Sequence, residues 1–125
     1  MRRDDGLFNQ EKQRIVQELV PGKQVTLAHV IANPDKILYQ KLGLESGTDY
    51  KKSAIGVVTV SPAETAIIMA DIAVKSAGVD LGFVDRVSGS LIVAGTVSEV
   101  EAATRAILDY TDNILNFETC EITKT

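Results

Sequence analysis

The stretch Ala63 to Ala77 limits what this chain can fold into more than any other. It reads as a helix in which Ala66, Ala70, Ala73 and Ala77 form a small-residue stripe, suited to close packing on a sheet. Ile67, Ile68, Met69, Ile72 and Val74 spread apolar surface over most of the remaining circumference. A helix on the outside of a small monomer shows one apolar and one polar face. Here only Glu64, Thr65, Asp71, Lys75 and Ser76 supply polarity. A second surface must therefore cover the helix, and in a chain of 125 residues that surface is expected to be another subunit.

The surroundings of this helix read in order. Ala54 to Val60 is a short run rich in β-branched residues, hence a buried strand. Ser61 is expected to cap the helix, with Pro62 at its first position and Glu64 three residues after the cap. Val79 to Val87 and Ser90 to Thr96 read as two strands joined near Ser88 and Gly89, where glycine supplies the positive φ of a tight hairpin. Ser98 to Glu101 has the pattern of a second capping box. It opens a helix striped by Val100, Ala103, Ile107, Leu108, Thr111, Ile114 and Leu115.

Before this block, Met1 to Lys12 is polar and without period, so at least part of it is expected to lack fixed structure. Arg14 to Val20 fits a strand, with Ile15, Gln17 and Leu19 on one side and Val16, Glu18 and Val20 on the other; a short helix fits almost as well. Neither side is a clean apolar face. The segment should stand outside the core and need partners, because a lone strand leaves its backbone groups unpaired. Lys23 to Ala32 is a strand, and Asn33 and Pro34 open a helix with Ile37, Leu38 and Leu42 on one face and Gly43 as its stop. Leu44 to Lys52 is a polar connector, and Phe117 to Thr123 alternates as a final strand. The expected fold is an α+β sandwich, a largely antiparallel sheet with helices on one face. It divides into an N-terminal arm, residues 1–22, and one domain, residues 23–125.

The chemical inventory is thin. A net charge of −4 gives no basic excess to displace counterions from phosphates, which argues against nucleic-acid binding. A single cysteine excludes an intramolecular disulfide and fits a reducing compartment. No apolar run approaches the roughly 20 residues of a membrane-spanning helix, and the N-terminus has no secretory h-region. His29, the one histidine, lies between Ala28 and Val30 on an apolar strand and reads as structural before it reads as a catalytic base; alone, it builds no histidine metal cluster. Cys120 lacks a neighbouring base of the kind a nucleophile needs. Glu64 and Asp71 share a helix face, but Lys75 follows Asp71 by four residues in the favoured ion-pair order. Asp85 and Arg86 suit either a surface pair or a pair across a subunit contact. Val87 to Ser90 offers amides and hydroxyls to an anion, but reads first as a tight turn. No cofactor is expected.

Ala70-Asp71-Ile72-Ala73-Val74-Lys75-Ser76-Ala77 and Val79-Asp80-Leu81-Gly82-Phe83-Val84-Asp85-Arg86-Val87-Ser88-Gly89-Ser90 carry a resemblance. The stretch Ala54 to Leu115 resembles the bacterial microcompartment (BMC) shell domain. A strand and helix like Val25 to Gly43 usually close that domain; here they come first. With Val20 to His29 and the ending Thr119 to Thr125, the chain is similar to the circularly permuted subclass of the family.

The resemblance implies a ferredoxin-like sandwich that closes into cyclic homo-hexamers and tiles, with other shell proteins, into the shell of a cytoplasmic bacterial microcompartment for propanediol, ethanolamine or choline utilisation. It implies that Arg86, Val87, Ser88, Gly89 and Ser90 frame an opening on the six-fold axis. It implies that six copies of Ile15, Val16, Gln17, Glu18, Leu19 and Val20 close into a β-barrel over that opening, which would remove every free edge. Lys75 matches a lysine that packs hexamer against hexamer. Asn33 stands where unpermuted members carry an arginine near that rim, so edge contacts are expected to be weaker or differently shaped. Two other readings stay open. One is an oligomeric binding module that docks an enzyme's targeting peptide or a small metabolite at the barrel. The other is a small α+β enzyme using Cys120 or His29, which rests on fold analogy alone.

Overall fold

The computed structural model describes residues 22–44 and 53–125. Along them run β1 (Gln24–Ala32), α1 (Lys36–Lys41), β2 (Ala54–Ser61), α2 (Thr65–Ser76), β3 (Asp80–Asp85), β4 (Ser90–Gly95), α3 (Val97–Asn113) and β5 (Thr123–Lys124). The strands form one sheet in the order β3-β4-β2-β1-β5. Its pairs are antiparallel except β1 with β5, which run parallel through His29 to Thr123 and Val30 to Lys124. The expected α+β sandwich is the observed one. The segments Arg14–Val20 and 45–52 lie outside the described residues.

Gly56 sets the spacing between sheet and helices. It faces Val30 on β1 and Val93 on β4, and residues directly opposite in antiparallel pairs share a face. A Cβ at Gly56 would lie 2.8 Å from Val100 Cγ1, so α3 crosses β2 as closely as its backbone allows. On this face Val30, Val58, Leu91 and Val93 meet Ala66, Met69 and Ala73 of α2 and Val100, Ala103 and Ile107 of α3. The alanine stripe is therefore the inward face of α2, joined by Met69. Alternation puts Ile55 and Ile92 on the opposite face. Leu44, just beyond α1, reaches that side and contacts the site of Gly82 beside Ile92.

Four local expectations are corrected. Ser61 does not cap α2, because it is still in the ladder opposite Gln24. The Ser61–Pro62 peptide is cis, and the chain enters α2 through backbone turns in which Thr65 N donates to Pro62 O and Ala66 N to Ala63 O. These carbonyls satisfy donors that a cap would otherwise serve. Asn33 does not open α1 either. It has φ +53 and its N–H donates to Ser53 O, while Asp35 is the cap and accepts from Ile37 N at 3.0 Å.

The capping box of α3 is Thr96 and Glu99 rather than Ser98 and Glu101: Glu99 N donates to Thr96 Oγ1 at 3.2 Å, and Thr96 N to Glu99 Oε1 at 3.0 Å. Both pairs fit the pattern, and the chain leaving β4 at Gly95 makes the first residue out of the strand the cap. Finally, Phe117 to Thr123 is not a continuous strand. Glu118 bridges Gln24, Cys120 and Ile122 lean on the edge of the core, and pairing resumes only at Thr123.

Candidate assembly surfaces

The outward face of α2 is where the sequence placed the strongest demand. Ile67, Ile68 and Val74 remain 52%, 43% and 43% exposed in the single chain. Ile72 is half-buried against the core. Asp71 pairs with Lys75 at 2.8 Å rather than with Glu64, and both side chains of the pair are exposed. The hydrogen bond from Lys75 to Asp71, then the carboxylate's charge, raises the lysine pKa. Lys75 thus sits in the last turn of α2, whereas Asn33 stands on the turn between β1 and α1; the two expected rim residues belong to different elements.

The β3–β4 turn is the second surface. Asp85 Oδ1 accepts from Val87 N at 2.8 Å and its Oδ2 accepts from the Ser88 hydroxyl at 2.9 Å. The Val87 amide first, then the Ser88 hydroxyl, hold the Asp85 carboxyl below the usual carboxylate range, against a small opposing desolvation; Arg86 adds a minor charge effect. Asp85 therefore serves its own turn, and Ser88 Oγ also lies 3.1 Å from Ser90 Oγ. Gly89 has φ +80, donates to Asp85 O and accepts from Val60 N. A Cβ there would collide with Val60 O and press on Ala63. The turn is thus pinned to the end of β2 and the entry of α2. Arg86 and Ser88 are exposed at the tip with Val87, which is 82% exposed. The Asp-x-Val amide bond was legible in sequence as an Asx-type turn.

The candidate catalytic residues are not brought together. His29 is half-buried, with Nδ1 2.5 Å from Thr123 Oγ1 and Nε2 3.0 Å from Thr125 Oγ1. A hydroxyl can donate or accept, so both ring nitrogens are satisfied in either tautomer. On the other side of β5, Lys124 reaches Glu101 of α3 at 2.5 Å. Together these bonds fasten the C-terminal segment, a role that no short-range pattern signals across 94 residues of sequence separation. Cys120 lines an open cleft of about 400 Å³ with Arg105, Leu108, Asp109, Asp112, Thr119, Glu121 and Ile122. Burial pushes its thiol pKa up, the opposite of what a nucleophile needs. Among the described residues no group of three metal-ligating side chains forms, and no helix is long and apolar enough to cross a membrane.

Comparison with known proteins agrees with this geometry. The BMC domain matches residues 54–123. The bacterial microcompartment shell protein PduU of Salmonella typhimurium is 49% identical over 112 residues, covering 90% of this chain and 93% of the relative. The shell protein CutR of Streptococcus intermedius is 50% identical over 111 residues, covering 89% and 91%. A solved structure described as a CutR flat hexamer superposes with a TM-score of 0.76 at 49% identity, over 85% of this chain and 94% of that one. A capped, apolar-sided helix on an alanine-lined sheet and a pinned β3–β4 turn are therefore shared features of a shell subunit, and the chain belongs to the BMC-domain family of bacterial microcompartment shell proteins.

Proposed function

We propose that six copies of this chain close into a ring that tiles into the shell of a propanediol, ethanolamine or choline microcompartment, and that its role is structural rather than catalytic. The observation that carries this reading is the outward face of α2. Three large aliphatic side chains stand half exposed on a helix whose other side is already packed. Sister copies cover them. Burying one such side chain contributes roughly 1.5–3 kcal/mol, and the contact repeats around every ring and layer.

In this reading Arg86, Val87, Ser88, Gly89 and Ser90 frame the axis. The bonds from Asp85 and Val60 fix the shape of that turn, so the opening keeps one size. Ile15, Val16, Gln17, Glu18, Leu19 and Val20 supply the barrel strands, and residues 1–22 act as an arm separate from the domain of residues 23–125. Lys75 and Asn33 lie on the rim. His29 holds the C-terminal segment, and Cys120 is a packing residue.

Native mass spectrometry and electron microscopy test the reading on the full-length protein. The expected result is a six-copy ring that forms extended layers, with Lys75→Ala leaving the ring and abolishing the layers. A stable monomer at micromolar concentration would overturn it.

A further inference from the structure

The outward face of α2 is ordered, not merely apolar. At 3.6 residues per turn, Asp71 and Lys75 lie side by side at the centre of the face opposite Ala66 and Ala73. Ile67 and Val74 flank the pair on one side and Ile68 on the other. An exposed ion pair of this kind adds little to folding, and a helix facing only water has no use for the three aliphatic shoulders. The pattern suits a partner that carries the same features in reverse order.

A second copy of α2 is such a partner. A two-fold contact is isologous: each residue meets the symmetry equivalent of its own partner. Asp71 and Lys75 are equally distant from residue 73. When two copies of α2 run antiparallel about a two-fold axis at that level, Lys75 of each faces Asp71 of the other. Identical six-fold rings lying the same way up in one layer meet across two-fold axes. Closing the ring needs a heterologous contact and tiling the layer an isologous one.

We propose that α2 is the seam between neighbouring rings. The two intramolecular ion pairs merge there into a four-charge cluster, each Lys75 bridging its own Asp71 and that of the facing copy. Ile67, Ile68 and Val74 surround the cluster and keep water from it. This rests on the reading of Lys75 as a rim residue, and it assigns Asp71, which that reading leaves without a role, to the choice of partner and direction. Partial exclusion of water weakens salt screening of the cluster.

The test is a charge-pattern series in the full-length protein, with each ring verified by native mass before layers are scored. Asp71→Lys rings carry two lysines per seam and Lys75→Asp rings two aspartates. Neither should form layers alone below about ten times the wild-type critical concentration, since like charges in register oppose contact. An equal mixture of the two should form layers, and so should the double reversal, Asp71→Lys with Lys75→Asp. If Lys75→Asp rings tile as the wild type does, the rim reading and the seam fall together. If Lys75→Asp rings lose their layers and the mixture does not restore them, Lys75 keeps its place on the rim and the exchange with Asp71 is overturned. Where a reversed ring fails to form, mixed Asp71→Cys and Lys75→Cys rings decide instead. A 71–75 disulfide joining two rings supports the seam, and layers without that link overturn it.

Discussion

The two long helices lie on the same face of one sheet and were built to different rules. α3 is sealed at its N-terminus by a capping box. It buries Val100, Ala103, Thr104, Ile107 and Thr111, and turns Glu101, Arg105, Asp109 and Asp112 outward, half-buried or exposed. Even its buried threonines are satisfied internally, Thr104 donating to Val100 O and Thr111 to Ile107 O. α2 has no side-chain cap, buries mostly alanine and leaves isoleucines outside. One helix finishes the subunit. The other leaves the subunit unfinished, and that incompleteness is the property an assembling protein needs.

The comparison predicts that damage to α3 shows in folding and damage to α2 in assembly. Ile107→Ala opens a cavity in the core and should cost about 3 kcal/mol of folding stability, read by denaturant unfolding; an effect near zero would mean α3 is not the structural helix. Thr96→Ala removes half of the capping box and should cost about 1 kcal/mol in the same measurement.

Ile67→Ser should change monomer stability by no more than about 0.5 kcal/mol while raising the concentration at which layers form. A large loss of folding with intact layers would reverse the roles assigned to the helices. The smallest effect concerns the turn. Asp85 has a folded pKa below its unfolded one, so its contribution is present above the unfolded value and is lost as pH falls through the folded one. Exchange of the Val87 amide should therefore quicken only in that acidic window, and Asp85→Ala should remove the pH dependence while leaving the helices protected.

Much of this was readable in advance, for identifiable reasons. The alanine stripe, the β-branched run of β2 and the glycine at position 89 are local signals, and each ended where expected: inward on α2, in mid-sheet and at φ +80. The motif from Ala70 to Ser90 carried the family. Ile114 shows where periodicity stops helping. It continues the apolar stripe of α3 by spacing, yet it is 60% exposed because the helix ends there, at its C-cap.

By itself the sequence determined the order of elements, the excess of apolar surface on one helix and the absence of any assembled catalytic pattern, because these depend on neighbours a few residues apart. Tertiary structure decided the rest. It chose Thr96 over Ser98 and Asp35 over Asn33 as caps, because candidates of similar intrinsic worth are separated only by where the chain leaves its strand. It laid β5 parallel to β1 and brought His29 to Thr123 and Thr125, contacts that no local pattern encodes. It also set the Asp71–Lys75 pair at the centre of an outward face. That placement depends on which side of α2 the sheet claims first.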